Sequence, residues 1–315
     1  MPIRIRRFTP IVTAFGCLLV LSFTAHGVNL KVRCGGTIPP TTISSALKLL
    51  NPAGPNTLIV SGACNEAVTI NGFDNLALLA RPGATINDPT PSIPDDNDVL
   101  DISNSHRITI KGFTINGGIY GIACVQYSLC FLNNDTVQNA SDTGVVIGTG
   151  TQAELTGNTI ENNSGHGLSA TNGANVLVSG GTIQSNGGAG AFANDGSVLR
   201  FFSSDSTPVT VQNNGFDGVF GTDNATVVLG FNGAVISGNN GTGVTVEDAS
   251  VARVAPRNQI TGNAGAGVGL GESSFASVAG NANVSGNTAG DVVCVGTFSN
   301  AKVSEPNAAL SCHNP

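Results

Sequence analysis

The sequence predicts an all-β chain wound as a stacked coil, and three observations carry that prediction. First, a Gly or Asp followed by an apolar residue returns at Asp98-Val99, Gly121-Ile122, Gly144-Val145, Gly167-Leu168, Gly190-Ala191, Gly218-Val219, Gly243-Val244, Gly267-Val268 and Asp291-Val292, in steps of 23 to 28 residues. Second, apolar residues between these anchors stand two apart in short runs, as at Val145 and Ile147 or Val176 and Val178, with Ile160 and Ile183 marking a third run. Runs of period two bounded by Asn, Asp, Gly and Ser read as strands, three to a unit. Third, an Asn stands four residues before the anchor in six units, at Asn163, Asn186, Asn214, Asn239, Asn263 and Asn287.

Stacked units would lay these amides over one another, each offering a donor and an acceptor to the rungs above and below. Turn backbone that is costly to bury unpaired would thereby be satisfied. The repeats resemble those of right-handed parallel β-helix proteins, the pectin-lyase-like superfamily, over residues 98–295. The resemblance implies a single-stranded right-handed parallel β-helix and no particular activity. About ten coils at roughly 4.8 Å would make a rod of about 50 Å.

Residues 1–27 read as a secretory signal. Arg4, Arg6 and Arg7 lead, an apolar run extends from Ile11 to Phe23, and Ala25-His26-Gly27 supplies small residues for cleavage. The run is short for a membrane span of about 20 residues. A secreted or periplasmic location follows as the expectation. Without the signal, 10 basic residues face 20 acidic ones, a net charge of −10. That balance disfavours nucleic acid and anionic membrane and suits cations or neutral ligands.

Six cysteines follow the signal, Cys34, Cys64, Cys124, Cys130, Cys294 and Cys312. An even count in an exported chain predicts three disulfides. Chain order suggests Cys34 with Cys64, Cys124 with Cys130 and Cys294 with Cys312, among the many connectivities that six cysteines allow.

The β-helix domain is expected over residues 28–315, with 28–97 as N-terminal cap and first coils, 98–295 as regular coils and 296–315 as a C-terminal tail. Thr41 to Leu50, apolar at Ile43, Ala46, Leu47 and Leu50, predicts an amphipathic helix of about two to three turns. A solenoid's first coil has open backbone edges, so this segment is expected as a capping helix across it. Asn87 to Asp98 forms a proline-rich surface loop in which Asp95, Asp96 and Asp98 are candidate calcium ligands, although EF-hand spacing is lacking.

Equivalent places in successive units stack, so outward columns are where chemistry would collect. Five residues after the anchor stand Asp195, Asp223, Asp248 and Glu272, and two places after it stand Phe192 and Phe220. Aromatic faces beside carboxylates suit a sugar ring, through stacking and hydrogen bonds to hydroxyls. Turn preference alone would also place Asp at these positions, and carboxylates about 5 to 9.5 Å apart could hydrolyse glycosides. All three readings stay open at this point.

The enzyme families of the superfamily are matched only in fragments. Gly165-His166-Gly167 resembles the Gly-His-Gly of polygalacturonases, but the preceding unit offers Asp142 without an adjacent aspartate pair, and no Arg-x-Lys follows. Arg253-Val254-Ala255-Pro256-Arg257 resembles a pectate lyase motif with different spacing, in a chain without tryptophan. Tyr120-Gly121-Ile122 resembles the opening of the alginate epimerase motif, yet Ala123-Cys124-Val125 replaces its Asp-Pro-His. The reading that follows is an exported, non-catalytic scaffold binding glycan or divalent cations along one face. The alternative is a divergent polysaccharide lyase, glycoside hydrolase or epimerase using the same groove.

Overall fold

The computed structural model describes residues 27–90, 97–203, 207–295, 299–303 and 310–311. The short alternating runs become strands of three parallel sheets, with 12, 11 and 10 strands. Each coil visits the sheets in the same order, for example Gln152–Thr156 in the 12-stranded sheet, Thr159–Glu161 in the 10-stranded and Leu168–Thr171 in the 11-stranded. Successive coils stay in register, so Ile122 pairs with Val145 and Val145 with Leu168. Parallel strands buried on one face alternate inward and outward side chains, which places Val137, Ile160, Ile183, Val211 and Ile236 in one interior file at most 1% exposed.

The anchor glycines answer to close packing at a corner. A Cβ on Gly167 would fall 2.5 Å from Ile183 Cγ2 and 2.7 Å from Asn186 Nδ2. Beside these glycines the six asparagines form a continuous buried file. Nδ2 of Asn163, Asn186, Asn214, Asn239 and Asn263 each donates to Oδ1 of the next asparagine at 2.9 to 3.0 Å. Each backbone N–H donates to the same oxygen at 3.1 Å. A second file, of hydroxyls, runs through Ser105, Ser128 and Thr151, whose oxygens accept from the backbone of the preceding coil.

A third polar corner holds Asp135, where Asn158 stands in the next coil. Its carboxylate accepts from the N–H groups of Phe113 at 2.8 Å and Asn133 at 3.0 Å. Burial outweighs these bonds and pushes the carboxyl up to about 7.

Cys34–Cys64 and Cys124–Cys130 are disulfides. Cys312, the expected partner of Cys294, lies outside the described residues, as do residues 1–26, Asp95 and Asp96.

Two expectations are corrected. The N-terminal helix spans only Ile43–Leu47. It is started by Thr42 and by the Glu66 carboxylate, which accepts from Ile43 and Ser44 at 2.6 and 3.0 Å. Beyond Leu47 the bonds tighten to i−3, from Leu49 to Ala46 and Leu50 to Leu47, and Pro52 follows. The helix buries Ile43, Ala46 and Leu47 in the core, and its length falls short of a cap spanning the coil. The second correction is register: Leu100, not Val99, pairs with Ile122. Asp98 therefore occupies the place of Tyr120 rather than that of the anchor Gly121.

Asn214→Ala would strand the backbone N–H of Asn186 and one of its two Nδ2 hydrogens, the other staying on Ile160 O. Chemical denaturation is expected to show a loss of about 2–4 kcal/mol. Asp135 supplies a pH dependence. The native carboxyl holds its proton up to about 7 while the unfolded one loses it near its ordinary value, so stability falls as pH rises from about 4 to 7 and then levels. Asp135→Asn, measured by denaturation across that range, should remove this slope.

Candidate functional site

The outer face of the 11-stranded sheet collects the groups with chemical character. Its strands are short, and in-register pairing sets Ser169, Phe192, Phe220, Thr245 and Gly269 in one outward row. Phe192 points outward between the buried Ala191 and Ala193, and its ring lies 5.5 Å from that of Phe220, tilted by 52°. His166, in the turn before its strand, stacks on Phe192 at 4.8 Å with planes 6° apart. Phe216 meets Phe220 edge-on at 6.2 Å and is half exposed. Four rings thus form one strip along the coil axis.

His166 has a defined protonation. Its Nδ1 accepts the Ala189 N–H at 3.1 Å, so the neutral ring carries its proton on Nε2. Burial lowers the imidazole's pKa, against the opposing charge of Asp142. At neutral pH the ring is an uncharged donor.

The acid column is first of all a column of turns. Asp195, Asp223 and Asp248 have φ of 48°, 51° and 51°, the left-handed region that Asp and Asn tolerate best among side-chain-bearing residues. Carbonyls of Asp223, Asp248 and Glu272 accept from Gly196, Asn224 and Ala249 of the preceding coil at 2.9, 3.0 and 3.3 Å. The four carboxylates are exposed. Asp223 and Asp248 lie close enough to Glu247 to act on it. Burial raises the Glu247 carboxyl first, followed by the charges of Asp248, Asp217 and Asp223. Asp217 is buried, accepts the Thr242 N–H at 2.6 Å and the Thr245 hydroxyl, and is raised by desolvation. Here the strip opens into a groove of about 570 Å³ lined by Thr245, Glu247, Asp248, Leu270, Glu272 and Val293.

At the other end of the strip stand Asp98, Asp101, Tyr120 and Asp142. Burial raises the Tyr120 phenol, with Asp142 and Asp98 adding to the effect. Asp98 is raised by burial and by Asp101, against a backbone hydrogen bond from Tyr120.

Reading outward columns after the anchor misses Tyr120, His166, Asp217 and Thr242. All four stand directly before an anchor, and that place was the available signal. The grouping of Cys34, Cys64 and Glu66 offers metal-ligand atoms in proximity, but the thiols are joined and the carboxylate holds the helix N-terminus.

The family model for a right handed beta helix region matches residues 58–205 and 102–289, and the chain belongs to that family. The structure resembles the A-module of Azotobacter vinelandii mannuronan C-5 epimerase AlgE4, with a TM-score of 0.51 and 13% identity over 86% of this chain and 95% of that one. It also resembles pectate lyase Pel9A, with a TM-score of 0.50 and 13% identity over 90% of this chain and 78% of that one. At these identities the likeness is one of fold. No curated protein matches the chain in sequence.

An NMR titration of His166 should find the Nε2–H tautomer and a pKa below that of a free imidazole. Asp142→Asn should lower it further, because the carboxylate is what favours the charged ring.

Proposed function

We propose that the chain is an exported, non-catalytic β-helix scaffold that binds glycan along the outer face of its 11-stranded sheet. The observation that carries this reading is the strip of partly exposed rings, His166, Phe192 and Phe220, bordered by hydroxyls and carboxylates. His166 and Phe192 each cover one face of the other, and the uncovered faces and outward edges of the three rings offer apolar contact to sugars, while Thr245, Glu247, Asp248 and the Nε2–H of His166 offer partners to their hydroxyls. Cys34–Cys64 and Cys124–Cys130 suit an oxidising, secreted or periplasmic location. Among the described residues no helix is long and apolar enough to cross a membrane. The two structural relatives act, by their names, on mannuronan and on pectate, which agrees with a carbohydrate role.

The alternative, a divergent polysaccharide lyase, hydrolase or epimerase, is favoured by Tyr120, Asp142 and His166 lying along the same face. The His166 tautomer weighs against it, because the nitrogen a base would use already accepts a backbone bond. Calcium enters this reading as a bridging ion at the acids.

Phe192→Ala with Phe220→Ala removes two stacking faces worth about 1 kcal/mol each, so glycan retention should weaken by roughly tenfold or more. Affinity electrophoresis in gels containing neutral polysaccharides, with and without calcium, measures it, and incubation with neutral and uronate polysaccharides tests for turnover. Unchanged retention sinks the binding reading. Unsaturated or reducing ends that appear with the wild type, and not with Asp195→Asn plus Asp223→Asn, would establish the enzyme instead.

A further inference from the structure

The cations of this acidic chain are unevenly placed. Beyond the signal there are 10 Lys and Arg residues, and four of them, Lys31, Arg33, Arg81 and Lys111, share the outer face of the 12-stranded sheet at its N-terminal end. Lys31 pairs with Ile59, Ile59 with Leu79 and Leu79 with Lys111, so these residues form one outward row across four adjacent strands. In the next outward row Arg33 pairs with Ser61, and the Arg81 N–H bonds to Val60 O at 2.7 Å, which sets Arg81 beside Ser61. All four charged side chains are exposed. Among the described residues none of them is ion-paired, and the salt bridge on this sheet, Arg107 with Asp74, lies outside the group.

We propose that this face binds a linear acidic glycan, its carboxylate or sulfate groups held by Lys31, Arg33, Arg81 and Lys111. Between Lys31, Arg33 and Arg81 the surface is an open hollow of about 470 Å³ floored by Ile59, Ser61 and Gly62, and Lys111 continues the row beyond it. Lys31 and Lys111 are three strand spacings apart, about 14 Å along the coil axis, while Lys31 and Arg33 are about 7 Å apart along the strand. The charges therefore recur along the axis at multiples of about 4.8 Å, a step comparable to the length of one sugar in an extended polysaccharide. Two guanidinium groups suit bidentate contact with planar carboxylate or with sulfate, and the two ammonium groups add point charges.

A broad anionic surface is disfavoured. A membrane or duplex would bring the remaining net negative charge of the chain against its own phosphates, whereas a single polysaccharide strand touches only the basic strip. The site is distinct in sheet and in sign of charge from the aromatic strip.

The test is affinity electrophoresis of the purified chain in polygalacturonate, heparin and neutral dextran, at several salt concentrations. Retardation by one or both acidic glycans beyond any by dextran is expected. The logarithm of the binding constant should fall with the logarithm of salt with a slope near the four cations engaged. Lys31→Glu with Arg81→Glu should abolish the excess of acidic-glycan over dextran retardation, Lys111→Ala should reduce the slope by about one, and Lys48→Ala should change nothing. Circular dichroism checks that each variant is folded. Phe192→Ala with Phe220→Ala should leave acidic-glycan retention intact, which separates this site from the proposed groove. Equal retention by dextran, an acidic-glycan excess surviving the double charge reversal, or tighter binding to anionic vesicles or duplex DNA than to either glycan would overturn the proposal.

Discussion

Hydrogen bonding along the coil axis is the constraint on which everything else in this protein depends. Each strand pairs in parallel with its counterparts one coil before and one coil after, and at the corners the side chains continue the pattern. The asparagine file from Asn163 to Asn287 is where this is clearest: each oxygen but the first receives both a side-chain and a backbone donor from the coil before it. Because every corner is satisfied by its neighbours, the turns can be buried. The chain can then wind without the helices that usually cover a parallel sheet.

The same constraint makes the surface columnar. A side chain that faces outward in one coil has its counterpart directly above and below, so a residue type repeated at the coil period becomes a line of like chemistry. Phe192 over Phe220 gives two rings in tilted contact, the Asp turns give a line of carboxylates, and Lys31 to Lys111 gives a row of cations with apolar residues between. Like charges in such lines repel unless they are spaced by other residues or face water, and both conditions hold here. Around Glu247, burial first and then the neighbouring acids drive the carboxyl toward its neutral form.

Much of this was legible in the residues. The coil, the strands, the inward places of Cys124 and Cys130 and the outward direction of Phe192 all follow from a period of about two dozen combined with alternation inside each run. Less legible was anything that depended on a corner. Asp98 looked like an anchor because Asp-Val resembles Asp291-Val292, yet the coil that precedes Gly121 is one residue shorter, and Asp98 is turned toward Tyr120. The N-terminal helix had the right apolar spacing and still closed after five residues, because Pro52 and the turn to the next strand lay too near.

The sequence by itself determined the winding, since period-two alternation and recurring Asn and Gly are local patterns that each coil repeats. It also marked the turn residues, because a left-handed backbone at Asp195, Asp223 and Asp248 selects the side chain directly. Only the tertiary structure decided which groups meet: that His166 stacks on Phe192 from the preceding coil, that Asp217 joins Glu247, and that Arg33 and Arg81 share a face. Those meetings depend on the number of residues in each coil, and one residue more or fewer in a turn shifts a side chain to another column.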